Sequence, residues 1–159
     1  MQDPDELWSM RNQYYVGNFD GVFSEAESVH VDVGDALFAE KNLFLQLARL
    51  AQGDELERLD SSLLSRVEFK ALSILFQLKL GNEEALLKSM MNLVDEDVSK
   101  NARLRWFAAT ALIQCNKDPN EALRVLFPVK SKSLEVQHLC VFLYLQMDRI
   151  DLASRAVEE

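Results

Sequence analysis

Apolar residues recur three or four apart through most of this chain, as in Trp106, Ala109, Thr110 and Ile113, or Leu43, Leu47 and Leu50. That spacing puts them on single helical faces, and no stretch alternates with period two long enough to make a strand. The pattern is cut by short helix-breaking elements: Gly17-Asn18-Phe19-Asp20, Gly53-Asp54-Glu55, Gly81-Asn82-Glu83-Glu84, Asn116-Lys117-Asp118-Pro119 and Met147-Asp148-Arg149. In each, Gly or Asn stops one helix, and the acidic or amide residue that follows caps the next and complements its dipole. Ten helices in five pairs are predicted: 5–15 with 19–29, 35–52 with 54–60, 63–80 with 83–94, 101–115 with 119–127, and 133–146 with 149–157. Segments 30–34 and 95–100 are links, and helix 54–60, short and charged, is the least regular member.

Anchored on Gly17, Gly53, Gly81, Lys117 and Asp148, the elements repeat every 33 residues or so. This is close to the 34 of tetratricopeptide repeats. The predicted fold is therefore all-α, a right-handed α-solenoid of five tetratricopeptide-like pairs forming one array over 1–159. The fourth pair fits best, with Ala109 and Ala122 as the small residues that let its two helices approach and Leu126 and Val129 completing the apolar face. The fifth follows with Cys140, Val141, Tyr144, Ala153 and Val157.

Several first helices are apolar around most of their circumference, for example Leu43, Phe44, Leu45, Leu47 and Leu50, or Val136, Leu139, Cys140, Phe142, Leu143 and Leu145. Such helices are buried on more than one side. Taken singly, each residue reads as core between repeats. Taken together, and set in the register of the fourth pair, they place Leu7, Tyr14, Tyr15, Leu43, Leu47, Leu50, Leu75, Leu78, Leu104, Phe107, Phe142 and Leu145 on the concave side. Covering a large apolar side chain is worth about 1.5–3 kcal/mol, so a groove lined by twelve calls for an occupant.

Charge narrows the partners. Seventeen Lys and Arg stand against 26 Asp and Glu, a formal −9, which disfavours nucleic acid and anionic lipid. The densest basic spot is only Lys130 with Lys132. Cys115 and Cys140 lie in apolar helical runs and read as buried thiols of a reducing compartment. The acidic opening is no secretory leader, and the longest apolar run, residues 139–145, is too short to span a bilayer. A cytosolic protein, or one on the cytosolic face of an organelle, is expected.

Catalytic and metal chemistry finds no constellation. The two histidines, His30 and His138, have no ligand partner at metal spacing, and His138 and Cys140 point to different sides of one helix. Asp95-Glu96-Asp97 lacks the Gly and Glu of a calcium loop, with Lys100 and Trp106 in those places, and reads as a solvated link. Glycine-rich phosphate loops are missing. The concave positions carry few cations, mainly Arg11 and Lys79, unlike a receptor for acidic peptide tails. No enzyme activity, cofactor or metal is expected; the reading is a binding scaffold.

The opening Asp5-Glu6-Leu7-Trp8-Ser9-Met10-Arg11-Asn12-Gln13-Tyr14-Tyr15-Val16-Gly17-Asn18-Phe19 resembles the start of the epsilon subunit family of coatomer, the Golgi vesicle coat. The stretch from Leu134-Glu135-Val136-Gln137-His138-Leu139 to Gln146-Met147-Asp148-Arg149-Ile150-Asp151-Leu152-Ala153 is similar to a repeat of that family, with Gln146 in place of Lys. Asn101 and Arg105 match the start of another, and the middle matches mainly in helix lengths. The resemblance implies a structural coat subunit whose repeats grip the C-terminal domain of the alpha subunit. It further implies cytosolic, Golgi-peripheral work in Golgi-to-ER retrograde and intra-Golgi transport. It also implies a chain nearly twice as long; here Leu152 and Ala156 would await a further repeat, as in a fragment or a short homologue. The competing expectation is a generic tetratricopeptide adaptor or co-chaperone for short peptides, told apart by a groove of Lys, Arg and Asn rather than of leucine and aromatics.

Overall fold

Helix stops and starts organise the chain as its sequence predicts. A computed structural model describes residues 5–33, 35–78, 81, 83–129 and 133–158. Lys79, Asn82, Lys130 and Lys132 lie outside them. The described residues form an all-α protein with helices α1 (Trp8–Tyr15), α2 (Phe19–Ser28), α3 (Ala36–Gln52), α4 (Ser61–Leu64), α5 (Val67–Leu78), α6 (Glu83–Glu96), α7 (Ala102–Gln114), α8 (Pro119–Leu126), α9 (Leu134–Gln146) and α10 (Ile150–Glu158). A 3-10 turn, Phe127–Val129, follows α8.

Among the described residues six positions adopt positive-φ backbone, Gly17, Gly53, Gly81, Lys100, Asn116 and Asp148. Four of them share one hydrogen-bond pattern: the N–H one residue past the left-handed position reaches back five residues, Asn18 to Gln13, Asp54 to Arg49, Lys117 to Leu112 and Arg149 to Tyr144, at 2.8–3.0 Å. This is the Schellman closure of a helix C-terminus. Side chains then open the next helices: Asn18 accepts from the Gly21 N–H, Asp118 from that of Asn120, Asn101 from those of Arg103 and Leu104, and Ser133 from that of Val136. The sequence repeat is thus a repeat of one backbone turn.

One predicted helix does not form. Residues 54–60 carry no helical structure, and the chain resumes with the single turn of α4. Leu56 and Leu59 are the segment's only apolar residues and are half-buried, too little face for a helix to bury. The buried Gln46 side chain instead accepts a 2.9 Å hydrogen bond from the Glu57 N–H, which fixes the segment as a strap.

The chain divides into two compact units, residues 1–63 and 64–159, with the boundary inside α4. In the first, α1, α2 and α3 pack on one another around Leu7, Met10, Val22, Ala26, Phe44 and Ala48. Tyr14 closes the cluster with its ring 5.2 Å from that of Phe44. In the second, α7 is the hub, touching α5, α6, α8 and α9. Leu104, Phe107, Ala108, Ala109 and Ala111 of α7 are all fully buried; the three alanines allow neighbours to approach on several sides, and Phe107 fills the remaining volume.

Candidate functional site

The twelve predicted groove residues separate by burial. Leu7, Leu43, Leu47, Leu50, Leu75, Leu78, Leu104 and Phe107 are buried in the free chain. The chain's own packing claims these eight, so they offer a partner no surface. Tyr14 is half-buried among Tyr15, Phe19 and Phe44. Tyr15, Phe142 and Leu145 are exposed.

Exposure on α9 follows the helical period. Val136, Cys140 and Leu143 point into the unit, while Leu134, His138, Phe142 and Leu145 are exposed. At 3.6 residues per turn these four fall within about 80° of arc, opposite the buried three. A helix apolar on both sides therefore presents Leu134, Phe142 and Leu145 at about half exposure each. On α1 the spacing of seven aligns exposed Trp8 with Tyr15, and Val16 stands beside them.

Polar groups serve the frame. Arg11, one of the two expected groove cations, pairs with Asp5 and, at 3.4 Å, with Glu40. Its hydrogen bond holds the Asp5 carboxyl below the usual aspartate range. Asp97, in the acidic run, accepts from the Ser99 hydroxyl and from the Asn101 N–H at 2.6 Å, tying the loop ahead of α7. Burial pushes the Cys115 thiol pKa up, away from reactive thiolate. Among the described residues no three His, Cys, Asp or Glu come together to hold a metal ion, and no helix is long and apolar enough to cross a membrane.

Two concavities escape sequence reasoning. In the first unit, a cavity of about 330 Å³ lies between α2 and α3, lined by Phe23, Ala26, Glu27, Lys41, Leu45, Arg49, Asp54 and Glu57. It follows from the strap, whose conformation the local sequence pattern does not reveal. In the second unit, about 240 Å³ opens where α5, α7 and α9 begin, beside Glu68, Asn101, Arg103, Trp106, Ser133 and Glu135. Asn101 and Ser133 already cap their own helices there, and the Asn101 amide donates to Glu68 at 2.9 Å.

Residues 3–159 match a family described as Coatomer epsilon subunit. The chain is similar to Coatomer subunit epsilon-1 of Arabidopsis thaliana, 24% identical over 159 residues that cover 98% of this chain and 53% of the relative. To Coatomer subunit epsilon-1 of Oryza sativa subsp. japonica it is 25% identical over 162 residues, covering 99% and 54%. The chain spans about half the length of the curated relatives it matches.

Proposed function

Because this chain belongs to the coatomer epsilon subunit family, we propose that it is a structural, non-enzymatic subunit of a vesicle coat that holds the C-terminal domain of the alpha subunit. In this reading it works peripherally on the cytosolic face of Golgi membranes and supports Golgi-to-ER and intra-Golgi transport. The family match over residues 3–159 carries the reading, and a scaffold of helix hairpins with exposed apolar side chains is consistent with it. The contacts we assign are Phe142 and Leu145, with Leu134 beside them, and Tyr15 on α1, because these are accessible in the free chain. The seven buried leucines and Phe107 that were predicted as lining shape the frame instead.

The mechanism is burial of one chain by another. Fully covering a large apolar side chain contributes about 1.5–3 kcal/mol, and Phe142 and Leu145 have about half of their surface left to cover, so Phe142→Asp with Leu145→Asp should lower affinity roughly ten- to a hundredfold. Both positions are exposed, and helical circular dichroism should stay unchanged. The test is co-purification of the coat alpha subunit from cytosol with the tagged chain, before and after the double substitution. Recovery of the alpha subunit with the unsubstituted chain and its loss with the variant is the expected result. Equal recovery with both would remove α9 as the contact, and no recovery with either would remove the reading itself.

A further inference from the structure

The formal charge of this protein is segregated. Residues 1–63 hold thirteen Asp and Glu against four Lys and Arg, the whole of the −9, whereas residues 64–159 hold thirteen of each and are neutral. The first unit therefore carries an acidic field that the second does not.

Within that unit the strap leaves a groove open. On α3, Lys41, Leu45 and Arg49 follow one another at intervals of four and form one ridge; on α2, Phe23, Ala26 and Glu27 form the other. Residues 54–60, had they formed the predicted helix, would present an apolar or charged face across α3; as a strap they supply only Asp54 and Glu57 to one end of the groove. The floor is apolar, and Phe23 and Leu45 are half-buried against the unit's core.

The cations of the groove are occupied. Lys41 donates to the Val29 carbonyl at 2.7 Å, and Arg49 pairs with Glu57 at 3.1 Å while its guanidinium sits 5.5 Å from the centre of the Phe23 ring. The Arg49 Nε is buried with no acceptor among the described residues, a cost that a backbone carbonyl brought alongside would relieve. The carboxylates of Glu27 and Asp54 are exposed and engaged by no hydrogen bond or ion pair within the described residues. An acidic ligand would have to break both cation contacts against the field of the unit; a basic one breaks none.

We propose that the α2–α3 groove of the first unit docks a basic segment of a partner protein. The segment lays the aliphatic stem of an arginine or lysine along Phe23 and Leu45 and brings its cation to Glu27 and Asp54. Apolar stem and charged tip match a groove with an oily floor, two cations already engaged within the unit and two exposed carboxylates, Glu27 and Asp54, left to receive the tip. None of its lining residues is among the α9 and α1 side chains assigned to the coat partner, and the inference stands without that assignment.

The probe is a capped pentapeptide with a central arginine, titrated into the full chain and followed by amide chemical shifts. Two control peptides carry citrulline, a neutral near-isostere, or glutamate at the centre. The arginine peptide should give saturable shifts confined to α2, the middle of α3 and the strap, and the citrulline peptide should give none. Glu27→Gln and Asp54→Asn, both at exposed positions, should each weaken binding roughly two- to fivefold with unchanged circular dichroism. Salt should weaken it further. Four outcomes would overturn the proposal: citrulline binding as well as arginine, glutamate binding better, shifts that spread over the acidic surface without saturating, or self-association that perturbs the same amides without peptide. None of them bears on recovery of the coat alpha subunit.

Discussion

The strap rests on one buried amide, and its removal is the sharpest perturbation the structure offers. Gln46 is 1% exposed, and its Oε1 accepts from the Glu57 N–H at 2.9 Å. Gln46→Leu keeps a side chain of similar bulk and deletes the acceptor. A net hydrogen bond is worth about 0.5–1.5 kcal/mol, and a donor left buried and unpaired costs about 1–3 kcal/mol. Glu57 lies near the surface, so its N–H can reach water if the strap lifts, and the lower range applies to global stability. Leucine recovers part of even this by burying apolar surface. Unfolding in urea should consequently shift by no more than about 1 kcal/mol. The local effect should be larger in relative terms: lifting residues 54–60 becomes easier by about 1–1.5 kcal/mol, close to a tenfold change in the opening equilibrium. Amide hydrogen exchange reads this directly. Glu57 and its neighbours should exchange several-fold to tenfold faster in the variant, while amides of α7, in the other unit, keep their rates. Unchanged exchange at Glu57 would refute the role given to Gln46, and equal acceleration in α7 would show that the amide holds the global fold rather than the strap.

Three further outcomes follow from the packing and the turns. Phe107→Ala removes a fully buried ring from the α7 hub and should cost about 3–5 kcal/mol in urea or thermal unfolding. Gly53→Ala should cost about 1 kcal/mol, because the backbone at φ +85° disfavours a Cβ although no atom lies within 4 Å of it, leaving a purely conformational penalty. At Asp97, partial burial raises the carboxyl pKa but hydrogen bonds from Ser99 and Asn101, with Arg105 nearby, more than offset it, so the group titrates below the ordinary aspartate value. A depressed folded pKa means the stabilisation is complete above about pH 4, the unfolded value, and fades as pH falls through the folded one. Asp97→Asn should thus lower stability by about 1 kcal/mol at neutral pH, with the gap to the parent narrowing below about pH 4.

Nine of ten predicted helices form because their signals are local: an apolar stripe, a stop at Gly or Asn, a cap such as Asn101 or Ser133. The failure at 54–60 has the opposite cause. Its conformation is set by Gln46, eleven residues away from Glu57, and no periodicity within the segment encodes that bond. The predicted helix 63–80 also begins as two pieces, α4 and α5. The groove residues were legible only as apolar helix positions. Whether such a position faces core or solvent depends on which neighbour covers it: Phe107 and Phe142 both lie on first helices of pairs, yet one is fully buried and the other 46% exposed. The charge division was countable from the outset, but only the boundary within α4 shows that it coincides with a structural one.

The recurrent left-handed turn also bears on how the chain reaches this state. Each Schellman bond spans five residues, and α1 with α2, α5 with α6, α7 with α8 and α9 with α10 are partners adjacent in sequence. Loop closure between such neighbours is cheap, and topologies built from it assemble in microseconds to milliseconds. Kinetics of that order, with hairpins appearing before the units consolidate, are what this architecture demands of a stopped-flow trace.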